Sequence, residues 1–382
     1  MNRKPSSSVH FPVREDAYWM EKALALARRG AGLTRPNPPV GAVIVQDGRL
    51  VASAWHRGAG KAHAEAGAIR KAGGSAKNAV LYTTLEPCCT FGKTPPCTEA
   101  IIESGIGRVV CGVRDPSPRH RGKGIRRLVS AGVKVTENVC SEEAVLLIEP
   151  FRIWIKQDRP YVSLKMGMSL DGKIADYKGK SRWITSGASR NRVGKLRSRV
   201  DAIIVGAETL RKDNPSLLPP ASARNRPLRI VVSGDGRMPL GSRLFRDDHT
   251  ARTVVAATKH CSKAVEKKYR SRGISVWRCA AKQNGEVSVR GLAKKMAKAG
   301  LLHVLCEGGG RLGSDLIRGG LVDEYLFFVA PVILGGSETP AVVSGRPWPL
   351  SAAPELRFTA VEKIGRDVFL RAIPGSTRKR KT

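Results

Sequence analysis

Three short stretches in the first third of the chain could bind a metal and move protons: His63-Ala64-Glu65, Pro87-Cys88 and Pro96-Cys97. One imidazole and two thiolates suit Zn²⁺, and three protein ligands leave a fourth position open to water. Zinc lowers the pKa of water held there to ~7, so hydroxide becomes available at neutral pH. Glu65 lies two residues from His63, too close to be a comfortable fourth ligand but well placed to shuttle that water's protons. The chemistry expected of this cluster is hydrolytic.

The surrounding pattern has to position these groups. Residues 17–29 carry apolar positions at helical spacing and end at Gly30 and Gly32. Pro36-Asn37-Pro38-Pro39 makes a rigid turn, and two strands, 40–45 and 50–55, flank the hairpin signal Asp47-Gly48. A helix over 63–72 carries His63 and Glu65 in its first turn. A strand over 79–85 delivers Cys88 at its exit, a helix follows over 97–104, and a strand over 108–113 comes next. Both cysteines thus fall near a helix N-terminus, where the dipole favours thiolates. Pro150 and then Asp158-Arg159-Pro160 interrupt the regular elements and predict a boundary. Beyond it, strands are expected over 161–165, 202–205, 228–232, 253–257, 274–277 and 303–306, with helices over 188–199, 263–271 and 289–299. Residues 325–334 and 357–372 complete a second sheet. The expected division is 14–155, 159–373 and a basic disordered tail, 374–382.

A chain of 382 residues is long enough for two cores. It has no apolar run of membrane-spanning length, and residues 1–13 contain no apolar stretch of the kind that marks secretion. Eight cysteines are too sparse for a disulfide scaffold, and a site that needs thiolates favours a reducing, cytoplasmic setting. The net charge of +35 suits polyanions, yet its basic residues are scattered except for Arg378-Lys379-Arg380-Lys381. Aromatics make up only 5% and are not interleaved with the basic residues. Phosphorylated small ligands are therefore expected in preference to nucleic acid, and no membrane partner is expected.

His-x-Glu followed by Pro-Cys is the mark of zinc-dependent nucleobase deaminases. Here eight residues separate Cys88 from Cys97, where nucleic-acid and free-cytidine deaminases have two. With this spacing, the chain resembles the bifunctional riboflavin-biosynthesis family, diaminohydroxyphosphoribosylaminopyrimidine deaminase fused to 5-amino-6-(5-phosphoribosylamino)uracil reductase. The resemblance covers roughly 15–373. It rests on Pro36-Asn37-Pro38-Pro39-Val40-Gly41, His63-Ala64-Glu65, Gly92-Lys93-Thr94-Pro95-Pro96-Cys97, Asp115-Pro116, Ser169-Leu170-Asp171-Gly172 and Glu307-Gly308-Gly309. It implies a cytidine-deaminase-like α/β/α domain followed by a dihydrofolate-reductase-like α/β domain, in a homo-oligomer. It also implies one zinc on His63, Cys88 and Cys97, with Glu65 as proton shuttle and Asn37, His56, Lys93 and Asp115 lining the substrate pocket. Members usually read Ser-His after the first cysteine, where this chain has Cys89-Thr90.

Glu307-Gly308-Gly309-Gly310 at the end of a strand suggests a phosphate loop, since glycines admit close backbone approach and a helix N-terminus favours anions. No Gly-x-Gly-x-x-Gly follows the strand at 161–165, which argues against an ordinary dinucleotide-binding domain. The resemblance implies NADPH contacts at Gly167, Trp183, Thr209, Asp213, Gly309, Gly310, Arg311, Leu312, Gly313, Ser314 and Asp315. It implies substrate contacts at Ser181, Arg197, Leu217 and Glu307. The implied reaction reduces a ribosyl group to ribityl. Two departures stand out. Leu217-Leu218-Pro219-Pro220 replaces a Leu-Thr-x-Arg whose Arg binds phosphate, with Arg224 or Arg226 nearby as substitutes, and Ser233-Gly234 replaces an Asp-Ser. The competing expectation is a nucleic-acid or nucleoside base deaminase with a degenerate second domain.

Overall fold

The computed structural model describes residues 13–92 and 95–375. It divides into two compact units, Met1–Lys156 and Gln157–Thr382. In the first unit the order is α1 (Val13–Ala27), β1 (Gly41–Gln46), β2 (Arg49–Trp55), α2 (Ala64–Ala72), β3 (Val80–Thr83), α3 (Cys97–Glu103), β4 (Arg108–Cys111), α4 (Lys123–Ser130), β5 (Lys134–Thr136) and α5 (Ser141–Gln157). The strands form one sheet in the order β2-β1-β3-β4-β5. β1 runs antiparallel to both β2 and β3, whereas β3, β4 and β5 are parallel. Two apolar clusters pack in this unit, one around Ile44, Leu81 and Val109 and one around Met20, Val43 and Val110. Adjacent strand residues such as Val43 and Ile44 enter different clusters, as side-chain alternation in a doubly covered sheet requires.

α5 runs through Pro150, which was expected to interrupt the regular elements, and ends only before Asp158, which has φ 50°. Proline removes one helical N–H bond and crowds the preceding turn. Ala144, Ile148, Phe151 and Ile153 are buried along the same helix, and that burial outweighs the local defect.

The second unit continues with β6 (Tyr161–Ser169), α6 (Gly187–Arg197), β7 (Ala202–Gly206), α7 (Ala207–Asp213), β8 (Leu228–Val232), β9 (Thr253–Ala257), α8 (Lys263–Arg270), β10 (Ser275–Arg278), α9 (Val289–Lys298), β11 (His303–Cys306), α10 (Gly310–Arg318), β12 (Glu324–Ala330), β13 (Leu356–Ile364) and β14 (Asp367–Pro374). Nine strands line up as β10-β9-β8-β7-β11-β6-β12-β14-β13. Parallel pairing extends from β10 to β12, and the last two strands add antiparallel pairs. The single stretch expected over 357–372 is therefore a hairpin, turning at Gly365 with φ 59°. Nearly continuous burial of β7 and β9 reflects helices on both faces of the parallel region. Among the described residues no helix is long and apolar enough to cross a membrane. The expected tail, apart from Pro374 and Gly375, lies outside the described residues.

Candidate active sites

The first site is assembled at the ends of three elements, α2, β3 and α3. His63 caps α2 in an extended conformation, rather than sitting inside its first turn, and Glu65 follows as the helix's acidic residue. Ala64 and Ala68 are buried on α2, and their small side chains let the helix lie close to the sheet. Cys97 opens α3 after Pro96, and Cys88 lies on the segment leaving β3. The Cys97 backbone N–H donates to Cys88 Sγ at 3.3 Å, and the Thr98 N–H donates to the Cys88 carbonyl at 3.2 Å. The first turn of α3 thereby stabilises charge on the Cys88 sulfur.

His63 Nδ1 lies 3.3 Å from Cys97 Sγ and 3.4 Å from Cys88 Sγ. Tetrahedral zinc, with bonds of ~2.0–2.3 Å, needs N···S edges of about 3.5 Å. The ligand atoms of His63, Cys88 and Cys97 all lie within 4.8 Å of one another, so the donor set fits zinc in both chemistry and spacing. Hydrogen bonding from Cys97 holds the Cys88 thiol down to about 4, while the same contact pushes Cys97 well up. A bound cation favours the deprotonated form of both thiols.

Glu65 is only 4% exposed, and burial pushes its carboxyl up to about 7. A carboxyl poised there can both take and return a proton at neutral pH. Beside it, Asn37 Nδ2 lies 3.1 Å from His56 Nε2, and His56 Nδ1 lies 3.1 Å from the Ala62 carbonyl. A carbonyl only accepts, so Nδ1 carries the proton and Nε2 accepts from Asn37. This fixes His56 as neutral, in line with the lowering of its pKa by burial. Asp115 is buried, and its carboxylate accepts from the Ser117 N–H at 2.7 Å. Asn37, His56, His63, Glu65, Cys88 and Asp115 line one cavity of about 530 Å³. Lys93 lies outside the described residues.

Sequence reasoning missed part of this cavity. Phe151, Trp154 and Ile155 of α5 supply an apolar wall, and Arg119 and His120 come from the loop before α4. Glu86, directly before Pro87-Cys88, was not among the expected site residues. It is 2% exposed and accepts from the N–H groups of Asp115 (3.1 Å), Gly122 (2.9 Å), Gly124 (3.0 Å) and Ile125 (3.3 Å). A Cβ on Gly124 would sit 2.1 Å from the Pro87 carbonyl oxygen, so α4 can pack beside the ligand segment only with glycine there.

The second unit holds another cavity, of about 620 Å³, lined by Ser181, Thr209, Asp213, Gly309, Gly310, Arg311, Leu312 and Asp315 among others. Gly309 N–H donates to Thr209 Oγ1 at 3.1 Å, and Ser181 Oγ donates to Asp213 at 2.6 Å. A Cβ on Gly310 would sit 2.6 Å from the Ala341 carbonyl oxygen, so backbone fills the space at the start of α10. A glycine-rich helix start facing a cavity this large, with Arg211, Lys212 and Arg311 on its lining, fits a phosphate-bearing dinucleotide. Gly313 and Ser314 are buried inside α10; Gly313 packs against Met166 and Leu164 of β6, and Ser314 Oγ accepts from the Ser344 N–H at 2.7 Å and so holds the loop over α10. Gly167 lies on β6, where a Cβ would touch Thr185. Trp183 is exposed, with the Arg190 guanidinium 4.5 Å from its ring centre.

Glu307 and Arg197 form a bidentate pair at 2.7 and 2.9 Å, and Lys165 Nζ lies 3.8 Å from the same carboxylate. Burial opposes ionisation of Glu307, but the Arg197 charge prevails and keeps its pKa below the ordinary value. Lys165, on β6, is held below the usual lysine range by burial, and sequence reasoning did not single it out. Leu217, expected to touch substrate, has φ 54° and buries its side chain in the core, leaving only main chain for any contact. Arg226 donates to the carbonyls of Pro220, Ala221 and Ala223, so it braces that loop instead of replacing the absent arginine.

Residues 13–113 match the model of the cytidine and deoxycytidylate deaminase zinc-binding region. Residues 160–370, more than half of the chain, match that of the RibD C-terminal domain. The chain belongs to the RibD family. Riboflavin biosynthesis protein RibD of Aquifex aeolicus is 38% identical over 94% of this chain and 98% of its own length. RibD of Escherichia coli is 35% identical over 94% of this chain and 99% of its own. The Thermotoga maritima diaminohydroxyphosphoribosylaminopyrimidine deaminase/5-amino-6-(5-phosphoribosylamino)uracil reductase superposes with a TM-score of 0.85 at 34% identity, covering 95% of this chain and 99% of that one. The RibD architecture therefore spans both units, a cytidine-deaminase-like zinc-binding domain followed by a dihydrofolate-reductase-like RibD reductase domain. The chain is a bifunctional deaminase and reductase of riboflavin biosynthesis, a reading that relatives and family models spanning both halves support over a nucleic-acid or nucleoside base deaminase with a degenerate second domain.

Proposed function

We propose that the first unit deaminates 2,5-diamino-6-(5-phosphoribosylamino)pyrimidin-4(3H)-one and that the second reduces the ribosyl group of the product to ribityl with NADPH. The observation that carries the reading is the buried Glu65 beside a zinc-competent His63/Cys88/Cys97 set, in a chain that matches RibD over both units.

Zinc on these three residues supplies Lewis acidity that makes water nucleophilic at neutral pH. Glu65 takes a proton from the water and returns one to the departing amine, so C2–NH₂ plus water becomes C2=O plus ammonia. Asn37, with Nδ2 committed to His56, keeps Oδ1 as an acceptor for a ring or amino N–H. In the second unit NADPH supplies the hydride. Thr209, Gly309 and the start of α10 hold the cofactor, and the Arg197–Glu307–Lys165 group fixes charge beside the substrate.

The zinc-loaded protein is expected to release ammonia from the diaminopyrimidine ribotide and at least ~100-fold more slowly from cytidine or deoxycytidylate, by competing kcat/KM values. Equal or faster turnover of cytidine would refute the substrate assignment. A cytoplasmic location and a homo-oligomeric state complete the proposal. All eight cysteines are free, which suits a reducing compartment.

A further inference from the structure

The deaminase cavity contains more charge than the proton shuttle uses. Its acidic members are Glu65, Glu86 and Asp115. Glu86 is committed to four backbone N–H groups and Asp115 to the Ser117 N–H. Arg119 and His120 line the same cavity, where the His120 charge also acts on the Asp115 carboxylate, and Arg119 has no ion-pair partner among the described residues. Arg119 is exposed, and His120 Nδ1 lies 3.9 Å from Cys89 Sγ, a weak partner.

The segment bearing them is preorganised. Its flanks, at Asp115 N–H and at Gly122 to Ile125, are tied to the one Glu86 carboxylate. Inside it, the His120 and Arg121 N–H groups donate to the Ser117 carbonyl at 3.0 and 2.9 Å, and Lys123 N–H donates to the His120 carbonyl at 2.7 Å. Because Glu86 directly precedes Pro87-Cys88, the residue that anchors this basic loop also sits next to a metal ligand. A rigid loop that presents a guanidinium and an imidazole to a ligand cavity matches phosphate, since Arg pairs with it in bidentate fashion and imidazole offers an N–H donor in either charge state.

We propose that Arg119 and His120 bind the phosphate of the deaminase substrate and so select the ribotide over the free riboside. This assignment rests on the deaminase substrate proposed above. The test uses the full zinc-loaded chain with the diaminopyrimidine ribotide and its dephosphorylated riboside as paired substrates, following ammonia release. Arg119→Ala is expected to raise KM for the ribotide about 10- to 100-fold. Its kcat should stay within about threefold, and KM for the riboside should not change. His120→Ala shifts the ribotide KM in the same sense by less, and Arg119→Lys restores part of the loss. Inorganic phosphate inhibits the wild type competitively and loses potency against Arg119→Ala. Equal KM changes for both substrates, or none for either, would overturn the assignment while leaving the substrate reading intact. A wild type that releases no ammonia from the ribotide would overturn both.

Discussion

Glu65→Gln is expected to cut the deaminase kcat by roughly 10²- to 10⁴-fold, the usual worth of a positioned general acid–base, with zinc still bound and reductase turnover unchanged. Glutamine keeps the shape of the side chain but neither takes nor returns a proton at neutral pH. Burial lifts the Glu65 carboxyl to about 7, which removes the mismatch that an ordinary, strongly acidic carboxylate would have with this task. His63, Cys88 and Cys97, the residues that would hold the metal, are not altered by the substitution. Ammonia release and metal analysis on the same preparation check it. Retained turnover with zinc in place would show that the proton moves by another route.

Glu307→Gln carries the second large effect. It leaves Arg197 and Lys165, with side chains about a fifth exposed, as two cations without their shared carboxylate. Breaking a buried pair costs about 3–5 kcal/mol. For a unit of this size that is a fall in melting temperature of roughly 6–20 °C. The residual exposure of Arg197 favours the lower end. If these charges hold the substrate as proposed, reductase kcat/KM should drop at least ~10-fold. Because the Glu307 pKa is depressed in the folded chain, the pair's contribution is full above the unfolded glutamate value of ~4.3 and is lost as pH falls through the lower folded value. The wild-type advantage over Glu307→Gln should therefore be flat from pH 8 to about 5 and shrink on further acidification. Calorimetry across that range measures it. An advantage that grew with acid would contradict the ion pair.

The sequence showed the zinc cluster more clearly than anything else, because His63, Cys88 and Cys97 are short polar residues whose types limit what they can do. Elements defined by local rules also emerged. Asp47-Gly48 marked the β1–β2 hairpin, and Gly30 lies at the close of the first helical region. What stayed hidden depends on long-range contacts. Pro150 looked like a breaker because its local cost is evident and the buried face of α5 is not. Lys165 did not stand out because its partner Glu307 lies on a strand exit far away in sequence. Leu217 matched a substrate position by motif, but its left-handed backbone turns the side chain into the core. Arg226 was near enough in sequence to replace a missing arginine, yet the carbonyls of its own loop claim it. Glu86, directly before Pro87-Cys88, ties the Asp115–Ile125 segment of the cavity lining through main-chain contacts that no side-chain pattern encodes.

The most direct measurement supplies the purified, zinc-loaded chain with the diaminopyrimidine ribotide and excess NADPH, and follows ammonia and NADPH absorbance together. The account predicts that both reactions proceed and that, at completion, one NADPH is oxidised for each ammonia released. NADPH oxidation should start only after a lag, as the deaminated intermediate accumulates. Ammonia release without NADPH oxidation, at saturating intermediate, would contradict the claim that one chain carries both activities.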